Sequence, residues 1–179
     1  TFDPELGNIG PGTYEKVYQL LLRLKGNMLA PAMHSCTRAF YTVPGNMEMA
    51  DDYGIIITTT HCEPLLYNNA SEWDKAKQGD WNYLTNKDEI NRVLRERVKQ
   101  AAGKENIYTI ALRGIHDEAI LGIREDQMRE VLEAAVRDQR AILSEYIAKP
   151  IEEIPQIFVP YKEVMKIYEQ GMDLPEDII

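Results

Sequence analysis

The sequence predicts an α/β fold in which about four parallel strands with flanking helices form a partial, TIM-barrel-like (β/α) sheet. Segments with helical periodicity alternate with short apolar runs, and those runs are continuous rather than alternating between apolar and polar residues. Continuous apolar strands are typical of parallel sheets that are covered on both faces, and alternation of helix and strand indicates crossover connections. Polar and titratable residues follow directly after the apolar runs.

Composition limits the class of protein. With 179 residues, 44% hydrophobic and 27% charged, the chain is long enough for one domain with a sizeable core. The net charge of −9 argues against nucleic acid or an anionic membrane surface as a partner. No run approaches the roughly 18 apolar residues of a membrane span. The chain starts without Met and is expected to be a piece of a longer protein. Cys36 and Cys62 are expected to be free thiols, because they show neither metal-site spacing nor a disulfide framework.

The first part of the chain predicts two helices and two strands. The first helix is expected from about Thr13 to Lys25, stopped by Gly26, with an apolar face made of Val17, Leu20, Leu21 and Leu24. Residues 27–33 predict a strand that ends at His34. A short helix follows over residues 44–54. The unbroken β-branched run at residues 55–60 predicts the next strand, which ends at His61, Cys62 and Glu63.

The connection over residues 61–85 has no strong periodicity, and one of this length inside a compact domain usually has a function. It contains both tryptophans of the chain, Trp73 and Trp81. Asn86 with Glu89 resembles a capping box. The helix that follows should bury one face, made of Ile90, Val93, Leu94, Val98 and Ala101.

The rest of the chain predicts two more strands. Residues 107–112 form the third, and a helix from about Arg124 to Ala148 should bury Met128, Val131, Leu132, Ala135, Ile142 and Leu143. Residues 156–159 form the fourth, and Pro160 ends its pairing. A last helix should bury Val164, Ile167 and Tyr168, with Gly171 at its end. Residues 173–179 predict a turn and the start of another strand.

Residues that follow the strands favour a barrel over an open doubly wound sheet. The turns after the four strands hold no G-x-G-x-x-G or Walker pattern. Active sites of (β/α) barrels are built from residues just after strands. In this chain the residues just after strands include all three histidines. The full set is His34, His61, Glu63, Arg113, His116, Asp117, Tyr161 and Glu163.

Several of these residues also have a structural explanation. His34 can fill a pocket, and Asp117 can be a helix-terminal charge. Arg113 is the hardest to explain in this way, because an arginine after a buried run must find a carboxylate or reach water. Trp73 and Trp81 suit either packing inside a lid or stacking on a sugar face.

Four segments carry a resemblance to a known family. They are Met-Ala-Asp-Asp-Tyr-Gly-Ile at 49–55, Thr-His-Cys-Glu-Pro at 60–64, Leu-Arg-Gly with Asp-Glu-Ala within 112–119, and Val-Pro-Tyr-Lys-Glu-Val at 159–164. In this order and spacing they resemble the catalytic-domain motifs of glycoside hydrolase family 115, and the similarity runs from about Gly12 to Ile178. The sequence departs from the family pattern at His34, where an aromatic residue is expected, and at Ile115-His116, which replaces a more acidic pair.

The resemblance implies a fold and an activity. The fold is a (β/α)8 barrel, with residues 1–179 part of its single catalytic domain and lacking the first and last strands. The activity is that of an α-glucuronidase that removes (4-O-methyl)glucuronic acid from xylan with inversion, although the fragment alone is expected to be inactive. The resemblance implies no cofactor, glucuronoxylan or aldouronic acid oligosaccharides as ligands, and a secreted or periplasmic location. Any homo-oligomer is expected to form through regions outside this chain.

An inverting glycosidase needs a carboxylic acid and a carboxylate roughly 6.5 to 9.5 Å apart. Glu163 is expected to be one of them, with its partner outside the chain or, less favoured, Glu63 or Asp117. The resemblance assigns glucuronate binding to Arg113, His61 and Tyr161, and chemistry agrees, because a guanidinium forks a carboxylate and phenol or imidazole bonds hydroxyls. The expected substrate-binding set is completed by Glu63, His34 and Asp117. Lys162 is expected to point away from Glu163, because adjacent side chains leave a strand on opposite faces.

Two alternatives remain open. A metal-dependent barrel hydrolase also carries histidines and acids at strand ends, although no H-x-H pair occurs here. A carbohydrate-binding module or barrel remnant would keep a sugar site without turnover. Metal analysis of the full-length protein tests the first, and release of glucuronic acid from glucuronoxylan tests the second.

Overall fold

Helices and short strands alternate through the computed structural model, which describes residues 2–179. The helices are α1 (Pro11–Arg23), α2 (Asn46–Asp52), α3 (Asn69–Glu72), α4 (Lys75–Gln78), α5 (Lys87–Ala101), α6 (Glu125–Tyr146) and α7 (Glu163–Glu169). The strands are β1 (Met28–Leu29), β2 (Ile56–Ile57), β3 (Tyr108–Thr109) and β4 (Gln156–Ile157). Over the described range, no helix is both long and apolar enough to cross a membrane.

The strands form two parallel pairs. β1 pairs with β2, and β3 pairs with β4. A parallel bridge between Ile57 and Asn106 joins the end of β2 to the segment before β3. Followed through these contacts, the strands lie in the order β1-β2-β3-β4. The prediction of a mixed α/β fold with parallel strands is therefore confirmed, while closure into a barrel stays a prediction.

Each regular ladder is shorter than the predicted strands at 27–33, 55–60, 107–112 and 156–159. Beyond the regular ladders, side chains take the place of a neighbouring strand as hydrogen-bond partners of the backbone. The Gln139 amide of α6 accepts from the Ala111 N–H at 3.0 Å and donates to the Ala111 carbonyl at 2.6 Å. The Asn68 amide likewise donates to the Met33 carbonyl. Backbone polar groups at the strand ends are thus satisfied without a partner strand.

The last residue lies against β4. The Ile179 N–H donates to the Gln156 carbonyl at 3.1 Å, and the Ile179 carbonyl accepts from the Phe158 N–H at 2.8 Å. This is the hydrogen-bond pattern of a parallel neighbour. It agrees with the predicted start of another strand.

The two long helices bury the predicted faces. In α5 these are Ile90, Val93, Leu94, Val98 and Ala101, and in α6 they are Met128, Val131, Leu132, Ala135, Ile142 and Leu143. The two helices pack on each other and against the sheet. The predicted capping box of α5 is wrong, because the Asn86 amide donates to the carbonyls of Gln78 and Asp80 and Glu89 pairs with Arg92.

The predicted buried face of α1 is wrong except at Leu21, which is partly buried and packs against the core. Tyr14 and Tyr18 are buried and pack with Phe40 and Tyr53, whereas Leu20 is 58% exposed and Leu24 is 72% exposed. The aromatic side chains occupy the core because they bury more area than the aliphatic ones on the other side of the helix. We call the exposed residues Val17, Leu20 and Leu24 the leucine stripe. In α7, Tyr168 is also exposed rather than buried as predicted.

Residues 1–179 expressed alone should aggregate or unfold easily. The leucine stripe is exposed and β1 lies at a sheet edge of the described chain, and both features favour association. Sedimentation velocity and thermal unfolding, compared with the full-length protein, measure this. A Leu20→Gln, Leu24→Gln double variant should lower the aggregated fraction. A monodisperse, cooperatively unfolding fragment would contradict the prediction.

Candidate active site

Arg113 is the centre of a charged cluster. The buried run Ile110-Ala111-Leu112 follows β3 and leads directly to Arg113, whose side chain is only 1% exposed. Its Nε and Nη2 atoms donate to Oε1 of Glu163 at 3.2 and 3.1 Å, and Nη2 also donates to Oε2 at 2.9 Å. Its Nη1 atom donates to the Asp117 carboxylate. One guanidinium therefore holds two carboxylates from different segments of the chain.

Asp117 receives two further partners. The Lys162 ammonium lies 2.8 Å from Oδ2, and the His61 Nε2 atom lies 2.7 Å from Oδ1. Hydrogen bonds from Lys162 and His61, together with the charge of Arg113, lower the pKa of Asp117 well below its usual range. Asp117 is therefore ionised at neutral pH. An ionised carboxylate can accept hydrogen bonds or act as a base, but it cannot act as a general acid.

Lys162 contradicts the expectation that it points away from the site. It adopts φ +52° as the residue before α7, and Glu163 is the first residue of that helix. Alternation of side chains applies to strands and not to this turn. Lys162 and Glu163 therefore both face the cluster, the first through Asp117 and the second through Arg113. Lys162 is a site residue that the sequence reasoning missed.

Tyr161 and His61 form an aromatic side of the cluster. Their ring centroids are 4.5 Å apart, and the Tyr161 ring lies 5.6 Å from Cζ of Arg113 and 5.1 Å from Nζ of Lys162. Tyr161 is exposed. It therefore presents an aromatic surface between the solvent and the guanidinium.

The two departures from the family pattern contact each other. His34 Nδ1 lies 2.9 Å from His116 Nε2, at an exposed position. Such a bond needs an N–H on one imidazole and a lone pair on the other. His116 adopts φ +57°, and its N–H donates to the Asn69 side chain at 2.8 Å.

Glu63 lies apart from this cluster. It is 6% exposed, and within residues 2–179 its carboxylate accepts hydrogen bonds from the N–H and hydroxyl of Thr60 only, at 3.2 and 2.9 Å. Burial raises the pKa of Glu63 to about 7. Glu63 therefore has a proton available near neutral pH but little access to a ligand.

The long 61–85 connection supports the site. The Trp81 indole N–H donates to the Arg113 carbonyl at 2.9 Å, and the Asn69 amide donates to the Gly114 carbonyl at 3.1 Å. The turn at 114–118 closes with a bond from the Gly114 N–H to the Glu118 carbonyl. A side chain at Gly114 would collide with the Ala119 carbonyl at 2.3 Å. Trp81 was predicted to pack inside a lid or to stack on a sugar, whereas Asn69 had no individual signal in the sequence beyond the length of the connection.

The expected residues are therefore only partly brought together. Arg113, Asp117, Glu163, His61 and Tyr161 share one cluster, His34 pairs with His116 beside it, and Glu63 is separate. In the part of the chain that the structure describes, no three His, Cys, Asp or Glu side chains converge as metal ligands. An arginine, two carboxylates and an aromatic ring thus lie together after the parallel strands, where the active sites of (β/α) barrels are built.

Comparison with known proteins identifies the family. The chain belongs to glycosyl hydrolase family 115, whose family model matches residues 1–179. A solved structure described as "a novel family GH115 4-O-methyl-alpha-glucuronidase, BtGH115A, with specificity for decorated arabinogalactans" is 41% identical, with a TM-score of 0.92 over 96% of this chain. This chain spans 23% of the length of that protein. No curated protein matches significantly.

Ionisation of Glu63 should destabilise the fold as pH rises. The folded-state pKa is raised to about 7 from the ordinary 4.5, so the folded protein binds the proton more tightly and stability falls between these two pH values. In the full-length protein, Glu63→Gln and wild type should have similar Tm values at pH 5, and the variant should have the higher Tm at pH 8. The reason is that ionisation of Glu63 lowers the free energy of unfolding of wild type by about 2 kcal/mol over this pH range. The exposed control Glu153→Gln should show no such pH-dependent difference. Parallel wild-type and Glu63→Gln profiles would contradict this.

Proposed function

We propose that this chain is part of an α-glucuronidase-type glycoside hydrolase that removes (4-O-methyl)glucuronic acid from xylan with inversion. The Arg113 cluster carries the proposal, because it positions Glu163 for proton transfer beside cationic groups that suit an anionic sugar. Family membership and the solved 4-O-methyl-α-glucuronidase support it. A polymeric substrate favours a secreted or periplasmic enzyme.

The fragment is proposed to supply the middle strands of a (β/α)8 barrel, as one part of a single catalytic domain. The parallel order β1-β2-β3-β4 and the position of polar residues after each strand support this architecture. Ile179 beside β4 is placed as the next strand would be. The rest of the barrel would then be supplied by chain outside residues 1–179.

Glu163 is proposed as the general base. The Arg113 guanidinium orients the Glu163 carboxylate in a bidentate pair, and a carboxylate can take a proton from water. The water oxygen would bond to the anomeric carbon as the glycosidic bond breaks on the opposite face, and an acid would protonate the leaving sugar oxygen. Asp117 is held ionised and Glu63 is buried, so an acid outside residues 1–179 is favoured over either.

Recognition of the substrate carboxylate is proposed at the same cluster. Lys162 and His61 are more accessible than Arg113, whose donors are engaged by Glu163 and Asp117. Direct reading of a glucuronate by Arg113 would require one of these carboxylates to give up a contact. Tyr161 is proposed to cover the sugar, with His34 at the outer edge of the site.

The deciding assay is release of (4-O-methyl)glucuronic acid by the full-length protein. Glucuronoxylan is the expected substrate, and decorated arabinogalactan tests the preference described for BtGH115A. NMR of the anomer released first tests inversion. No release from either polysaccharide would refute the proposed function.

Glu163→Gln in the full-length protein should abolish turnover while substrate binding survives. The amide preserves shape and most hydrogen bonding but cannot take a proton, so kcat on an aldouronic acid should fall by about 10² to 10⁴. Calorimetric binding of the same oligosaccharide is the companion measurement. Retained kcat would remove Glu163 from the mechanism, and loss of binding together with turnover would leave it a positioning role.

Arg113→Lys should cause a heavy loss of activity despite the retained charge. Lysine lacks the planar fork that holds Glu163 and Asp117, so kcat/KM should fall by about 10² or more. Arg97→Lys is the matched control, because Arg97 is also buried and pairs with Glu72 outside the cluster. The control should lower Tm but keep kcat. Near wild-type activity of Arg113→Lys would indicate that Arg113 is only structural.

A further inference from the structure

A groove of about 330 Å³ lies beside the Arg113 cluster. One wall comes from the 61–85 connection and contains Trp73 and Trp81, and the other comes from the loop that follows β3. The turn at 114–118 separates the groove from the cluster. Residues 114, 115, 118 and 119 line the groove, whereas His116 and Asp117 contact the histidine pair and the charged cluster. A ligand in the groove would therefore lie directly across this turn from Asp117.

The tryptophan wall is held rigid. The two indole rings are nearly perpendicular, with centroids 4.8 Å apart, and Trp81 also stacks on Tyr67 at 5.9 Å. Both indole N–H groups are already used, by the Gly79 carbonyl for Trp73 and the Arg113 carbonyl for Trp81. What the wall offers a ligand is therefore aromatic surface, chiefly from the half-exposed Trp73. Such a surface suits the C–H face of a sugar ring.

Polar groups at the groove determine the charge of a suitable ligand. Lys75 and Asp80 form an exposed ion pair at 2.7 Å, and Glu118 adds a second exposed carboxylate. One cation against two carboxylates disfavours an anionic sugar but leaves donors and acceptors for hydroxyl groups. The Arg113 cluster is less acidic, because Arg113 and Lys162 balance its two carboxylates, Glu163 and Asp117. The volume lies at the small end of the about 300–1,000 Å³ usual for ligand pockets, which suits a short saccharide.

We propose that this groove is a subsite for a neutral sugar of the polysaccharide backbone, next to the backbone sugar that carries the uronic acid. The inference rests on the proposed function, because it places the two parts of a branched substrate on either side of the 114–118 turn. The uronic acid lies at the Arg113 cluster, and the neutral neighbour stacks on Trp73.

The test compares two substrates of the full-length enzyme. The disaccharide of glucuronic acid and xylose lacks the neighbouring sugar, and a branched aldouronic oligosaccharide contains it. Trp73→Ala should raise KM about tenfold on the branched substrate, as expected for one lost aromatic contact, with kcat retained and both constants on the disaccharide within about twofold of wild type. Trp73→Phe keeps a ring and should restore most of the affinity. Equal losses on both substrates, or no loss on the branched one, would overturn the subsite.

A second variant approaches the groove from the other wall. Ala119→Phe adds volume at an exposed position without removing Trp73, and should raise KM on the branched substrate selectively. Thermal unfolding of each variant checks its fold. An effect of Trp73→Ala that Ala119→Phe does not reproduce would assign Trp73 a packing role and overturn the subsite.

Binding of neutral ligands separates this inference from the proposed function. Linear xylo-oligosaccharide and galacto-oligosaccharide are titrated into the full-length protein by calorimetry, with and without Trp73→Ala. Binding that depends on Trp73 supports the subsite even if the enzyme releases no uronic acid, in which case the proposed function alone fails. The oligosaccharide that binds identifies the backbone as xylan or galactan. No Trp73-dependent binding of either, in an enzyme that does release uronic acid, would overturn the subsite and leave the proposed function standing.

Discussion

Neutralisation of the buried Arg113 guanidinium is the constraint on which this part of the molecule depends. The hydrophobic run after β3 carries Arg113 into a position where its side chain is almost completely removed from water. An unpaired charge there would cost several kcal/mol, so carboxylates must be brought to it. Asp117 comes from the turn after β3 and Glu163 from the start of α7. The same charge therefore fixes the positions of two loops and of both carboxylates of the cluster.

The 61–85 connection makes this arrangement specific. Trp81 and Asn69 donate to the backbone carbonyls of Arg113 and Gly114, so the turn that carries Asp117 is held from outside the cluster as well as by the guanidinium. Gly114 is needed where the turn closes on Ala119, because a side chain there has no room. The turn consequently has two ordered faces, one toward the ion pairs of the Arg113 cluster and one toward the tryptophans. The charge and aromatic character of a ligand would decide which face it contacts.

The sequence predicted the strand positions and the residues that follow them, because an apolar run followed by polar residues is a local pattern. It could not predict features that depend on distant partners. The ladders are short because Gln139 of α6 satisfies Ala111, and α1 buries tyrosines because Phe40 and Tyr53 lie beside them. Lys162 joins the cluster because its backbone leaves the strand geometry with φ +52°. Glu63 is separate from the cluster because its carboxylate turns back to accept hydrogen bonds from the N–H and hydroxyl of Thr60, a contact that composition does not predict.

Two buried arginines show why the Arg113 cluster, rather than any buried ion pair, is the candidate site. Arg97 pairs with Glu72, donates to the Leu66 carbonyl and lies against the rings of Tyr41 and Tyr67. Its partner carboxylate is 10% exposed, so the pair is closed and structural. The partners of Arg113 are Glu163 at 27% and Asp117 at 33% exposed, although the Arg113 side chain itself is even more deeply buried than that of Arg97. Burial of the cation orients the two carboxylates, and their exposure leaves one side of each available to a substrate. The two arginines form chemically similar ion pairs. They differ in the exposure of their carboxylate partners, and only those of Arg113 are accessible to a ligand.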